Sequence, residues 1–144
     1  PDSGLLGRKL VSNHRLLCAS PDYLERFGTP ENLTALRQHR WVVLPWQRQL
    51  KMREASKVVT FHTDARFTVS NSDNMTQAVL AGHGLGIKSF IAIREELESG
   101  KLVEVLPGVL ADDDAPVWFL KPQNSLTTRK TEVFFAFMKS LFAQ

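Results

Sequence analysis

A chain of 144 residues with 43% hydrophobic and 23% charged residues has the size and balance of one domain or two small lobes, which excludes a disordered chain and a disulfide-stapled mini-protein. The net charge of +3 comes from 18 Lys and Arg spread along the chain, a pattern of a solvated basic surface ahead of a nucleic-acid face. Cys18 is the single cysteine, which excludes an internal disulfide, and without an apolar run of spanning length or a signal peptide the expected setting is cytoplasmic, with no membrane contact.

Leu10 to Ala19 reads as strand, and Cys18 lies in the apolar run Leu16-Leu17-Cys18-Ala19, where a buried, inert thiol is expected. Ser20-Pro21-Asp22 has the form of a helix start, with a capping hydroxyl, a proline in the first turn and then an acid. Tyr23, Leu24 and Phe27 give this short helix its apolar side, and Gly28 ends it. Thr29-Pro30-Glu31 repeats the start signal for a second short helix bearing Leu33 and Leu36, and Trp41 to Leu44 is a compact strand closed by Pro45. From Trp46 to Lys57 the chain is polar and basic, with Arg48, Lys51, Arg53 and Lys57, as in a surface loop or hairpin. Val58 to His62 and Arg66 to Val69 are further strands around Thr63-Asp64.

The stretch Phe67 to Ile93 organises the chain. Phe67 and Val69 alternate with Thr68 and Ser70, the period of a pleated strand. Asn71, Ser72 and Asp73 then supply helix-capping oxygens, and Met75, Ala78, Val79 and Gly82 fall on one apolar helix face. Gly82 and Gly84 end that helix, and Leu85 to Ile87 starts the next strand. This is a βαβ unit, and its first turn, Ser70–Asp73, is expected at the carboxyl edge of a parallel sheet, where open α/β folds bind ligands. A second helix starts at Lys88–Phe90, runs on from Ile91 to Glu98 and ends at Gly100. Leu102 to Leu106 is a strand, residues 111–115 form an acidic connection without the spacing of a calcium loop, and Val117 to Leu120 is the last strand. Thr127 to Phe142 is an amphipathic helix whose stripe of Phe134, Phe137, Met138 and Leu141 reads as core, or as an interface with another chain.

No motif carries catalysis or metal. His14, His39, His62 and His83 have no paired ligand spacing; His83, between two glycines, reads as a helix-end or solvent-facing residue, with contact to a ligand as the lesser reading. Gly82-His83-Gly84-Leu85-Gly86 closes a helix instead of opening one, so it is not a dinucleotide loop. Ser89, His83 and Asp73 lack a nucleophile elbow, and Glu95, Glu96 and Glu98 form a wet helix face. No enzyme and no cofactor is expected. The positive feature is the pair of helix starts, Ser70–Asp73 and Lys88–Phe90, whose unpaired N–H groups suit a small anion. Ordinary capping accounts for the same residue types, and Asp73 competes with an anion.

One family resemblance runs through nearly the whole chain. Arg8-Lys9-Leu10, Arg15 to Leu24 (RLLCASPDYL), Gly28-Thr29-Pro30, Leu33 with His39, Ala78 through Ile87 (AVLAGHGLGI), Glu96 to Val103 (ELESGKLV) and Val105-Leu106-Pro107 resemble, in order, the effector-binding domain of LysR-type transcriptional regulators. The resemblance implies an α/β fold of periplasmic-binding-protein-like (type 2) lobes with mixed, mainly parallel sheets. Residues 1–16 would end a partial first lobe, 17–116 would form a complete second lobe, and 117–144 would return to the first. It also implies an effector-sensing and oligomerising role. A small, anionic effector would lie in the interlobe cleft, lined here by Ser20, Pro21, Ser70, Asn71, Ser72, Phe90 and Trp118. The partners implied are a second copy, as homodimer or tetramer, and DNA, the latter only through a winged helix-turn-helix domain absent from this chain. The abrupt opening at Pro1-Asp2-Ser3-Gly4 fits a truncated regulatory domain. Two departures affect the pocket floor: Lys88-Ser89-Phe90 stands where many relatives have proline, and Pro122-Gln123-Asn124-Ser125 lacks a basic residue often found there. A stand-alone small-solute-binding module, an enzyme with a cryptic site and a pure assembly module remain as alternatives.

Overall fold

The computed structural model describes residues 5–122 and 129–142. The expected helix start at Thr127, and residues 1–4 and 123–125, lie outside them. The elements in chain order are β1 (Leu5–Val11), β2 (Arg15–Ala19), α1 (Pro21–Phe27), α2 (Leu33–Leu36), β3 (Trp41–Val43), β4 (Gln49–Glu54), β5 (Lys57–His62), β6 (Ala65–Thr68), α3 (Ser72–Leu80), β7 (Gly86–Ser89), α4 (Arg94–Glu98), β8 (Val103–Val105), β9 (Val117–Pro122) and α5 (Arg129–Phe142), with 3-10 turns at Pro45–Gln47 and Ile91–Ile93. They divide into two compact units, residues 15–113 and residues up to 14 together with those from 114 on. No helix among the described residues is long and apolar enough to cross a membrane.

Local chemistry explains most helix ends in the larger unit. Tyr23 N–H donates to Ser20 Oγ at 3.2 Å to start α1, and Gly28, at φ 84°, stops it. The second helix departs from expectation: Asn32, not the Thr29-Pro30-Glu31 signal, caps α2, its Oδ1 accepting Ala35 N–H at 2.8 Å. Asn71 caps α3 in the same way, accepting Asn74 N–H at 2.8 Å. The α3 face of Met75 and Val79 is fully buried. It sits so close to β7 that a Cβ on Gly86 would fall 2.6 Å from Val79 Cγ2, so only glycine fits there.

β6 and β3 pair in parallel, and β2 pairs antiparallel with both β7 and β8. A parallel bridge between Trp41 and Leu85, with Val42 N–H donating to Leu85 O at 2.8 Å, joins the two sets in the order β6-β3-β7-β2-β8. The βαβ unit read from sequence is present, but β3 lies between its two strands. Four strands share one direction and β2 runs against them. The expectation of mainly parallel pairing needs correction here: β2 reverses two of the ladders, and β4 and β5 form an antiparallel hairpin turning at Ala55, φ 54°. Periodicity shows that a strand exists and is silent on its direction.

The sheet alternates cleanly between two cores. Leu17, Ala19, Trp41 and Val43 face one apolar cluster with Tyr23, Leu36, Met52 and Phe61. Leu16, Cys18, Val42 and Leu44 face the other with Met75, Val79, Ile93 and Leu102. That period of two is what a sheet covered on both faces requires.

The smaller unit is a ribbon and a helix. β1 and β9 pair antiparallel, Gly7 opposite Leu120 and Lys9 opposite Trp118. Arg8 lies over the Phe135 ring at 3.7 Å and bonds Glu132 at 2.9 Å, and Phe119 meets Phe134 and Phe135. Phe135 is the buried residue of α5, so of the two readings of the stripe the core one does not hold for Phe134, Phe137 and Leu141. Phe134, Phe137 and Leu141 are 51%, 56% and 47% exposed. The aromatics of α5 share one broad arc of the helix, and spacing does not say which part of that arc the ribbon covers.

Candidate functional site

The parallel strands β3, β6 and β7 all end at one edge of the sheet. The turns after them, Leu44–Trp46, Ser70–Ser72 and Ser89–Phe90, are therefore gathered there. β2 runs the other way and begins at this edge, Arg15 pairing with Ser89. Strand ends of this kind are where α/β sheets bind ligands.

On one face of the sheet the edge is the start of α3. Ser70, Asn71 and Ser72 are exposed, and the first-turn N–H groups not taken by the Asn71 cap face outward with the positive end of the helix. Beneath them lies Lys88, a β7 residue only 4% exposed. Its Nζ donates to the Ser72 carbonyl at 2.8 Å and to the Ser72 hydroxyl. Burial pulls the Lys88 ammonium below the ordinary lysine range, a tendency opposed by Cys18, Asp73 and Glu96. Cys18, in β2 on the same face, is pushed up to about 12, first by burial. The thiol is neutral and inert at physiological pH, as its apolar surroundings imply.

The second helix start read from sequence is weaker than expected. Ser89 Oγ accepts Ala92 N–H at 3.3 Å, but the chain continues as a 3-10 turn and then the five-residue α4, too short to build a dipole comparable to that of α3. Phe90 stands exposed at this turn.

On the other face of the sheet is a cavity of about 310 Å3 lined by Arg15, Trp46, Gln47, Lys51, Ile87 and Asp112, among others. Trp46 projects from its rim, 72% exposed, while Gln47 is buried and its Oε1 accepts Leu44 N–H at 2.9 Å. Cationic, amide and apolar groups around a small volume are the makings of a site for a small polar molecule.

Four of the residues proposed from sequence, Ser70, Asn71, Ser72 and Phe90, share this edge. Ser20 and Pro21 do not, and this is a correction. They lie beyond the far end of β2, where a Cβ on Gly82 would lie 3.5 Å from Ser20 Oγ. Gly82 is ten residues beyond Ser72, roughly 15 Å along the helix. Ser20 is also buried, its hydroxyl already taken by Tyr23 N–H. That far edge is occupied by the end of α3, where Arg26 donates to Gly82 O at 2.9 Å and pairs with Asp22, and where the exposed His83 ring rests 5.0 Å from Phe67. Trp118 belongs to the smaller unit, on β9, and is 52% exposed. Sequence reading missed Arg15, Trp46 and Gln47 as edge residues. It placed Lys88 there only as part of a helix start, not as a buried ammonium inside the otherwise apolar strand Leu85-Gly86-Ile87-Lys88.

Comparison with known proteins adds the family context. The profile of the LysR substrate binding domain matches residues 1–143. An uncharacterized HTH-type transcriptional regulator of Escherichia coli, YhjC, is 30% identical over 151 residues, covering all of this chain and 50% of that protein. The E. coli HTH-type transcriptional regulator DmlR is 30% identical over 150 residues, covering 97% of this chain and 46% of its own length. This chain thus spans about half the length of these curated relatives. Among solved structures, the regulatory domain of CrgA from Neisseria meningitidis, a LysR-type regulator, superposes with a TM-score of 0.82 at 23% identity, over 97% of this chain and 70% of that one. Full-length AphB of Vibrio cholerae gives 0.80 at 25% identity, over 98% and 49%.

Proposed function

We propose, from the premise that this chain belongs to the LysR substrate binding domain family, that it senses a small effector for a DNA-binding transcriptional regulator. The family is regulatory, not catalytic, and relatives such as DmlR are transcriptional regulators. The finer reading is ours. Residues 15–113 act as the second regulatory lobe, and the ribbon and α5 as part of the first. A small, anionic molecule binds in the cleft between lobes, against Ser70, Asn71, Ser72 and Phe90 on one side, with Trp118 contributed by the other lobe. Arg15, Trp46 and Gln47 join this set in place of Ser20 and Pro21. In the whole regulator, a helix-turn-helix domain contacts DNA, the molecule works in the cytoplasm, and copies assemble as dimers or tetramers. Effector binding shifts the balance between two arrangements of the lobes by its differential affinity for them.

The observation that carries this reading is the convergence of three strand ends, the start of α3 and a polar-lined cavity on a single sheet edge. A melting-temperature screen of small acids, alcohols and amides against the 144-residue chain tests it. A ligand that binds only the folded form, present at 100 times its Kd, stabilises by about 2.7 kcal/mol, which raises the melting point by several degrees. Ser70→Trp blocks the edge while leaving the Asn71 cap intact, and it is expected to erase the shift. A ligand whose shift survives Ser70→Trp binds elsewhere and refutes this placement.

A further inference from the structure

We infer that Lys88 is the residue that makes this edge select a carboxylate over a neutral molecule of the same shape, an assignment that rests on the proposed effector site. Lys88 is 96% removed from solvent by the fold, being 4% exposed, yet among the described residues no carboxylate lies within ion-pair distance of it. Its Nζ is met by two neutral oxygens of a single residue, the carbonyl and hydroxyl of Ser72. A buried charge is costly unless paired. Two hydrogen bonds to neutral oxygens satisfy two of the three N–H donors and none of the charge. Asp73 and Glu96 favour its charged form from longer range, and Asp73 doubles as the acid of the first α3 turn.

The missing counter-charge has an obvious point of entry. Ser72 is exposed and holds the ammonium through its carbonyl and hydroxyl, at the place where Ser70 and Asn71 also offer polar groups. An incoming carboxylate there meets the remaining ammonium donor and the Ser72 hydroxyl, and it lies at the positive end of a nine-residue helix. A neutral amide of the same size gains the hydrogen bonds without the charge. The preference therefore comes from strand β7 and not from the capping residues, which any helix start would carry. Cys18, a further titratable group acting on Lys88 beside Asp73 and Glu96, stays neutral.

The test uses matched pairs at constant ionic strength: acetate with acetamide, succinate with succinamide, and benzoate with benzamide, each titrated into the 144-residue chain by calorimetry. The acid of at least one pair is expected to bind wild type more tightly than its amide. Lys88→Met keeps the length of the side chain and removes the charge, and it is expected to lower acid affinity roughly ten- to a hundredfold while leaving amide affinity unchanged. Lys88→Arg is expected to keep the preference. A change that only loosened α3 would weaken both members of a pair alike. Should Lys88→Met fail to fold, Lys88→Gln gives the same readout. Equal binding of acid and amide to wild type, an undiminished acid preference in Lys88→Met, or no binding of any acid would each overturn the assignment. Amide binding that Ser70→Trp abolishes would leave effector sensing standing while removing the charge role from Lys88.

Discussion

The two units of this molecule spend similar apolar residues to different effect. In residues 15–113 the inner strands β2, β3 and β7 have an apolar layer on each side, and Trp41, Tyr23, Phe61 and Leu17 are almost wholly excluded from water. In the other unit, among the described residues only Leu10 and Phe135 count as buried apolar side chains, while Trp118, Leu120, Val133, Phe134, Phe137 and Leu141 are exposed. Hydrophobicity is therefore not what separates a core from a surface here. A second covering layer is. One ribbon and one helix have a single interface between them, and the apolar residues off that interface stay about half exposed.

That contrast can be broken most forcefully from the larger unit. Trp41→Ala empties the centre of one cluster and loses the ring contact with Phe61, so denaturant unfolding is expected to show a loss of about 3–5 kcal/mol. Among the described residues the indole Nε1 of Trp41 is buried with no protein hydrogen-bond partner, so Trp41→Phe, which removes that donor with most of the ring kept, is expected to cost far less. A smaller effect comes from the polar pair in the same cluster. Tyr23 Oη and His39 Nδ1 are 2.8 Å apart, and burial holds the His39 imidazole below its ordinary value. The unfolded chain thus takes up a proton on His39 at higher pH than the folded one. Stability from this group is complete above about pH 6.5 and is lost as pH falls from there toward the depressed folded value. Melting temperatures measured from pH 8 to 5 are expected to decline over that window, and His39→Gln is expected to flatten the decline. The smallest effect on stability belongs to the other unit. Phe137→Ser on the exposed side of α5 is expected to change unfolding free energy by no more than about 0.5 kcal/mol. Sedimentation velocity is its sharper readout: self-association of the wild-type chain that this substitution does not reduce would show the exposed stripe to be inert.

How much of the fold and site is legible in the sequence divides along physical lines. Caps and glycines act within a few residues, so the starts of α1 and α3 and the stop at Gly28 can be read directly. The βαβ unit is legible for the same reason. Strand direction is not, because alternation looks the same read either way, so nothing in the residues themselves could check the edge that the resemblance implied for Ser20 and Pro21. The part of α5 that packs is hidden by its own composition, since Phe134, Phe135, Phe137, Met138 and Phe142 spread over a broad apolar arc wider than the ribbon's contact at Phe135. Arg15, Trp46 and Gln47 escape a sequence reading because no local pattern marks them. They come together only when β2, β3 and the hairpin are folded. Proximity between distant segments is a property of topology, and a single sequence records it poorly.

The larger unit starts and finishes at one spot: Arg15 N–H donates to the carbonyl of Asp113 at 2.6 Å. A segment closed on itself in this way is a cassette. It can be exchanged, resized or grafted with only two neighbouring chain ends to rejoin. Under the function proposed above, specificity is open to change inside the insert while β1 and β9 keep their register.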